Sequence, residues 1–270
     1  MQTAVAAIPG LDAEGVTMRE ARNGEITIRY QVSGAGPPLL LLHPGLCVGE
    51  LWETLGYADQ LRRHYRLIVP DLRGHGRSDC PHDEASYSAD AMRDDLGAVL
   101  AAEGVEETLC WGFSLGALLA LRFAAAYPGR LRALVAGGAV GWLPRREVGT
   151  ESAARIAQKG LAALAPPRSG DPAALPLRPV VLASDPLAHA ARYRAQSLWE
   201  PPAGLHAIRG PLLLYGGEAD SFTPAVRELA AALPHARLVI VPRMGHLQLW
   251  CHPELMLDQA MAFLEAARSE

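Results

Sequence analysis

The 270-residue sequence is short of several things, and each shortage narrows what it can be. It has no excess of positive charge: the formal net charge is −4, which gives no reason to expect nucleic acid as a partner. Its four cysteines, Cys47, Cys80, Cys110 and Cys251, lie far apart with no C-x-x-C pair. That spacing excludes a zinc knuckle and a disulfide framework, and suits a reducing compartment. No run of about 18 apolar residues exists, so no helical membrane span is expected. The opening MQTAVAAIPGLDAEG lacks a basic n-region and does not read as a signal peptide, so the expected location is cytoplasmic. Aromatic residues are few, at 6%, and there are no internal repeats and no low-complexity tract. What remains is an ordinary globular composition, 50% hydrophobic and 20% charged, in a chain long for one domain and short for two.

Short apolar runs punctuate the chain. VTMREAR and EITIRYQV flank Asn23-Gly24 and predict a β-hairpin closed by a type I′ turn on those two residues. PPLLLLH (37–43), RLIVP (66–70), ETLCWGF (107–113), RLRALVAGG (130–138), GPLLLYGG (210–217) and ARLVIVP (236–242) are continuous, as strands buried on both faces are. Between them, 51–63, 87–103, 115–127, 224–233 and 253–267 carry helical spacing. Strands alternating with helices predict an α/β fold: a mostly parallel sheet with an N-terminal antiparallel hairpin and helices on both faces. Residues 140–208 break the alternation after the sixth strand. They are rich in Pro and Ala, with helical patterns at 151–165 and 186–199, and read as a helical lid inserted into a core of 1–139 and 209–270. Residues 140–205 hold eight Lys or Arg against five Asp or Glu, a basic insertion on an acidic body.

In open α/β sheets ligands bind beyond the carboxyl ends of the strands, so polar residues at those ends are the ones to weigh. Ser114 follows the strand 107–113 within Gly112-Phe113-Ser114-Leu115-Gly116, a G-x-S-x-G turn that lifts a serine above the sheet at a helix N-terminus. A serine hydroxyl needs a base to become a nucleophile. His246 follows the strand 236–242 and is the best placed of nine histidines; His235 and His64 precede strands, and His189 and His206 belong to the insertion or its exit. A third group must orient the imidazole. Asp220, beyond the strand 210–217, is favoured over Glu218, which lies closer to the strand. Backbone donors for a developing oxyanion would come from Leu115 and from the loop HPGLC. Pro44 has no N–H, which leaves Gly45 first and Leu46 second. Cys47 and Cys251 lie near these elements, and read as inert small hydrophobes rather than reactive thiols.

With these pieces the chain resembles the α/β-hydrolase superfamily, through LLLLHPGL, DLRGHGRSD, WGFSLG, GGEADSFTP and PRMGHLQLWCHPE. The resemblance implies a Ser114–His246–Asp220 triad in that fold's chain order, and no cofactor or metal. It also implies a structural role for Arg73, Gly74, His75, Gly76 and Ser78. His43-Pro44 stands where His-Gly is usual, and Ala117 where a further glycine is frequent. The nucleophile is serine, where haloalkane dehalogenases and epoxide hydrolases of this fold use aspartate. The function so implied is a serine hydrolase cleaving a small-molecule ester, lactone or thioester. The same triad serves carbon–carbon bond hydrolases and cofactor-free perhydrolases, and some receptors are built on this scaffold. Whether Arg145, Arg146, Arg155 or Arg192 lines the pocket would separate carboxylated from apolar substrates.

Overall fold

A computed structural model describes residues 15–139, 146–167 and 170–268, with no account of the side chains of 146–148. The N-terminal 14 residues, and with them most of the segment weighed above as a leader, lie outside the described residues. Strand β1 (Thr17–Asn23) pairs antiparallel with β2 (Ile26–Ser33). The turn sits one residue later than expected. Asn23 pairs with Ile26, so Gly24 and Glu25 form the turn, and only Gly24 takes a positive φ, +60°. A type I′ turn would need positive φ at both central residues. Asn23 stays in the strand because its amide nitrogen donates to Ala91 O and to Asp95 Oδ1.

The chain continues through β3 (Pro38–Leu42), α1 (Leu51–Thr54), α2 (Tyr57–Leu61), β4 (Arg66–Pro70), α3 (Ala89–Ala102), β5 (Thr108–Phe113), α4 (Leu115–Ala126) and β6 (Leu131–Gly137). Then come α5 (Arg146–Lys159), α6 (Leu177–Ala183), α7 (Pro186–Gln196), β7 (Leu212–Gly217), α8 (Thr223–Ala232), β8 (Ala236–Val241), α9 (His246–Cys251) and α10 (Leu257–Arg268). The eight strands form one sheet in the order β1-β2-β4-β3-β5-β6-β7-β8. β2 pairs antiparallel with β4, and every later pairing is parallel.

Period-two alternation sends each strand's side chains to opposite faces, and both faces are covered. Leu40, Leu42, Cys110, Leu134, Ala136, Leu212 and Leu214 join one core with residues of α3, α4 and α8. Leu39, Leu41, Trp111, Phe113, Val135, Leu213 and Tyr215 join the other with α1, α2, α9 and α10. This is why the strands read as unbroken apolar runs. Each fully buried leucine contributes about 1.5–3 kcal/mol. In the second core Trp52 meets Tyr57, Trp111 and Trp250 at ring-centroid distances of 4.9, 5.6 and 4.6 Å. The Tyr57 hydroxyl donates to Trp250 O at 3.0 Å, so this aromatic group seats α9 against the sheet.

Several helix expectations are corrected. Residues 51–63 form two short helices, because Gly56 at φ +86° interrupts them. The pattern at 151–165 ends as an α-helix at Lys159, before Gly160 at φ +64°. The pattern at 186–199 ends at Gln196, and 253–267 divides into a 3-10 turn and α10. Helix α6 was not foreseen; its Pro179 is tolerated in the first turn, where the missing N–H has no intrahelical partner. Helices α5, α6 and α7 lie in the chain between β6 and β7 and share a small core of Ala153, Ile156, Leu161, Val181 and Ala190. Asp185 caps α7 by accepting from Leu187 and Ala188 N–H, and also contacts His82 Nε2 at 2.8 Å. Trp199 Nε1 donates to Tyr87 O, and His252 reaches Asp171 Oδ2 at 3.0 Å. These bonds fasten the segment to the sheet-bearing part on two sides. No helix among the described residues is long and apolar enough to cross a membrane.

Candidate active site

Ser114 stands between β5, whose six residues are all buried, and α4. Its backbone lies at φ +53°, ψ −111°, a conformation that L-residues rarely hold. The two neighbouring glycines make the turn possible. A Cβ on Gly112 would fall 2.6 Å from Gly116 C, and one on Gly116 would fall 2.2 Å from Leu42 O. Ser114 N–H donates to Gly137 O at 2.8 Å, and Leu118 N–H closes the first helical bond to Ser114 O at 3.0 Å. The Ser114 hydroxyl makes no capping bond to α4. It points instead to His246 Nε2, at 2.9 Å.

His246 Nδ1 lies 2.6 Å from Asp220 Oδ2. An ionised carboxylate only accepts, so Nδ1 carries the proton and Nε2 is free to accept from the serine hydroxyl. Asp220 is itself fixed: its side chain is fully buried and Oδ1 accepts from Phe222 N–H at 2.9 Å. Phe113 and Phe222 flank the imidazole, with ring centroids 5.1 and 5.0 Å away. Gly138, at φ +53°, leaves room for it, since a Cβ there would meet His246 Cε1 at 2.9 Å. His246 is the first residue of α9 rather than a loop residue, so the helix seated by the aromatic group also aims the imidazole. Glu218, the rival carboxylate, is occupied elsewhere: its Oε2 accepts from Arg243 N–H at 3.0 Å.

Leu115 opens α4 directly after the serine, and Gly45 lies beside it: a Cβ on Gly45 would sit 3.8 Å from Leu115 Cβ. The two alternatives in the HPGLC loop differ. Leu46 N–H donates to His75 Nε2 at 3.2 Å, whereas Gly45 N–H makes no such bond among the described residues. His43 and His75 act as struts. His43 accepts from Leu72 N–H through Nε2 and donates from Nδ1 to Pro44 O; His75 donates from Nδ1 to Arg73 O. Burial lowers the basicity of both, which keeps them neutral. Asp71 holds the same region, accepting from Gly49 and Arg77 N–H, and Arg73 pairs with buried Asp95 at 2.6 Å.

Residues 37–186 match the alpha/beta hydrolase fold family, more than half of the chain. The chain belongs to that family. The 2-hydroxy-6-oxo-2,4-heptadienoate hydrolase of Pseudomonas putida is 37% identical over 121 residues, covering 44% of this chain and 43% of that protein. The chain thus matches less than half the length of that relative. Pimeloyl-[acyl-carrier protein] methyl ester esterase of Nitrosomonas europaea is 29% identical over 251 residues, 84% of this chain and 96% of that protein. Among solved structures, esterase RhEst1 of Rhodococcus sp. superposes with a TM-score of 0.77 at 28% identity, over 93% of this chain and 99% of that one.

Of the arginines weighed for the pocket, this α/β hydrolase brings one to the site. Arg145 and the side chain of Arg146 lie outside the described residues. Arg155 is exposed and donates to Ala163 O. Arg192, on α7, is buried, with Nη2 3.4 Å from where a Cβ on Gly45 would lie. His189, one turn earlier on α7, is fully buried with its ring 4.7 Å from that of His75. The sequence reading passed over His189, because nothing in its neighbours shows that α7 turns it towards the sheet. Cys47 and Cys251 are buried free thiols; burial raises the Cys251 thiol to about 12 and Cys47 further, so neither is a thiolate.

Proposed function

We propose that the chain is a serine hydrolase that cleaves a carboxylic ester, lactone or thioester through an acyl-enzyme on Ser114. The observation that carries this reading is the two-link relay, 2.9 Å from Ser114 Oγ to His246 Nε2 and 2.6 Å from His246 Nδ1 to Asp220. His246 takes the Ser114 proton as Oγ attacks the carbonyl carbon. Leu115 and Gly45 N–H receive the oxyanion, and the imidazolium is stabilised by Asp220. His246 returns its proton to the leaving oxygen or sulfur. It then takes a proton from the water that attacks the acyl-enzyme and gives it to Ser114 Oγ as the bond to the acyl carbon breaks, which regenerates Ser114 and releases the acid. A positioned base is worth about 10²–10⁴ in rate, and each oxyanion donor about 10²–10³. Residues 140–208 act as a lid over the serine, a role supported by Arg192 reaching Gly45 from α7.

A second reading has its own support. The P. putida relative is named for an oxo-dienoate substrate, and the same relay can serve cleavage of a carbon–carbon bond beside a carbonyl. A panel of aryl esters, lactones, vinylogous diketones, and esters with peroxide separates these activities. Ser114→Ala is expected to lower turnover of the best substrate by about 10⁴-fold or more with the fold intact. A purified Ser114→Ala protein that retains turnover near wild type would refute the acyl-enzyme.

A further inference from the structure

Arg192 is a buried cation with one edge of its guanidinium unpartnered. It is 1% exposed, and among the described residues no carboxylate lies within ion-pair distance. Nη1 donates to Gln196 Oε1, and the guanidinium lies over the Tyr193 ring, 3.9 Å from its centroid. Nε and Nη2 have no hydrogen-bond partner. These two nitrogens form the side-on edge of the guanidinium, the edge that receives a carboxylate through two parallel N–H···O bonds. His189 also has both ring nitrogens without a partner. Burial pushes its basicity down to about 3, so it offers a neutral N–H and no rival charge. The nearest acid on α7, Asp185, is already engaged by His82 and the helix cap. His43 and His75 have both nitrogens committed to the backbone and offer the guanidinium nothing.

A buried charge without a counter-ion is costly, and removing it is commonly neutral or stabilising. A ligand carboxylate on the Nε–Nη2 edge would supply the missing charge. The place is specific: Nη2 lies beside Gly45, the amide assigned to the oxyanion.

We propose that Arg192 is the anion-binding residue of the substrate site, and that the substrates carry a free carboxylate which docks on its Nε–Nη2 edge close to the scissile carbonyl. This inference rests on the hydrolase reading for the reaction, but not for binding. The substrate class is thus a monoester or lactone of a dicarboxylic acid, or an ester of a hydroxy acid. His189 supplies a further N–H to the same carboxylate.

Two measurements test it. In the first, kcat/KM is measured for monomethyl glutarate against methyl valerate, and for O-acetyl-lactate against ethyl acetate. Wild type is expected to prefer the charged member of at least one pair, and the pair preferred tells which side of the ester bears the carboxylate. Arg192→Met is expected to lower that preference about a hundredfold, mainly through KM. A wild-type enzyme without preference, or a preference unchanged in Arg192→Met, overturns the inference and leaves the hydrolase reading standing. In the second, glutarate and lactate are titrated calorimetrically into Ser114→Ala. At least one should bind, and the double variant with Arg192→Met should not. Equal binding to both proteins, or none to either, overturns the inference whatever the enzyme hydrolyses. Arg192→Gln repeats both measurements should Arg192→Met fail to fold. Free of ligand, Arg192→Met is expected to melt no lower than wild type.

Discussion

Acidification should unfold this protein through its buried imidazoles, and His189 makes the effect separable. His189 is fully buried and titrates near 3 in the folded state, against about 6.5 in an unfolded chain. Between those values the unfolded chain holds a proton that the folded protein refuses. Stability from this residue is therefore complete above about pH 6.5 and falls as the pH drops towards 3. The slope is about 1.4 kcal/mol per pH unit for one imidazole, or about 2 kcal/mol between pH 6.5 and 5. His43 and His75, also lowered by burial, steepen the wild-type curve in the same direction. His252 behaves oppositely. Glu254 and Asp171 raise its basicity, so its contribution is present below about 6.5 and fades as the pH rises through the raised value. The assay is urea unfolding of wild type and His189→Leu at several pH values from 7 to 4.5. Wild-type stability should fall relative to that of His189→Leu on acidification, with slopes differing by about 1.4 kcal/mol per pH unit. Parallel curves would refute the argument, because they would mean that His189 is protonated alike in both states.

Other substitutions probe the site's geometry. Gly116→Ala places a Cβ 2.2 Å from the backbone oxygen of Leu42. It should cost about 1–3 kcal/mol of stability and, by moving the serine, about 10²-fold in kcat; a variant with wild-type kcat would show that the turn has slack. Asp220→Asn keeps the shape but lets Nδ1 lose its proton, and kcat should fall about 10⁴-fold, with denaturant stability measured alongside to exclude unfolding. Glu218→Gln should stay within about threefold of wild-type kcat/KM, since an amide oxygen can still accept from Arg243 N–H. A collapse of activity in Glu218→Gln would reopen the choice of acid.

Strand positions were legible because a doubly covered parallel sheet needs unbroken apolar runs, and Leu39–Leu42 or Leu212–Leu214 can hardly be anything else. Ser114, His246 and Asp220 were legible because each lies just past such a run, and the sheet brings those ends together. Helix limits were less so. Gly56 ends a helix through a positive φ that its neighbours do not announce, and Pro179 marks a first turn where it suggests a break. The difference between Gly45 and Leu46 was hidden in the sequence, because the bond that engages Leu46 N–H comes from His75, 29 residues away. Arg192 was visible only as one of several insertion arginines. Its burial depends on how α7 packs, which is long-range information.

The site's three members are held with unequal strength. β5, which presents Ser114, lies between β3 and β6 with all its residues buried. β8, which leads to His246, is the last strand of the sheet, pairs with β7 alone and has no fully buried residue. Marginal strands open by local fluctuation long before a central strand is released. Amide hydrogen exchange should therefore run faster in β8 and at the head of α9 than in β5. On heating, His246 will drift from Ser114 while the central strands remain paired. The Ser114–His246 contact is then governed by the weakest edge of the sheet, and any activity that rests on it should be lost on brief warming and regained on cooling without unfolding.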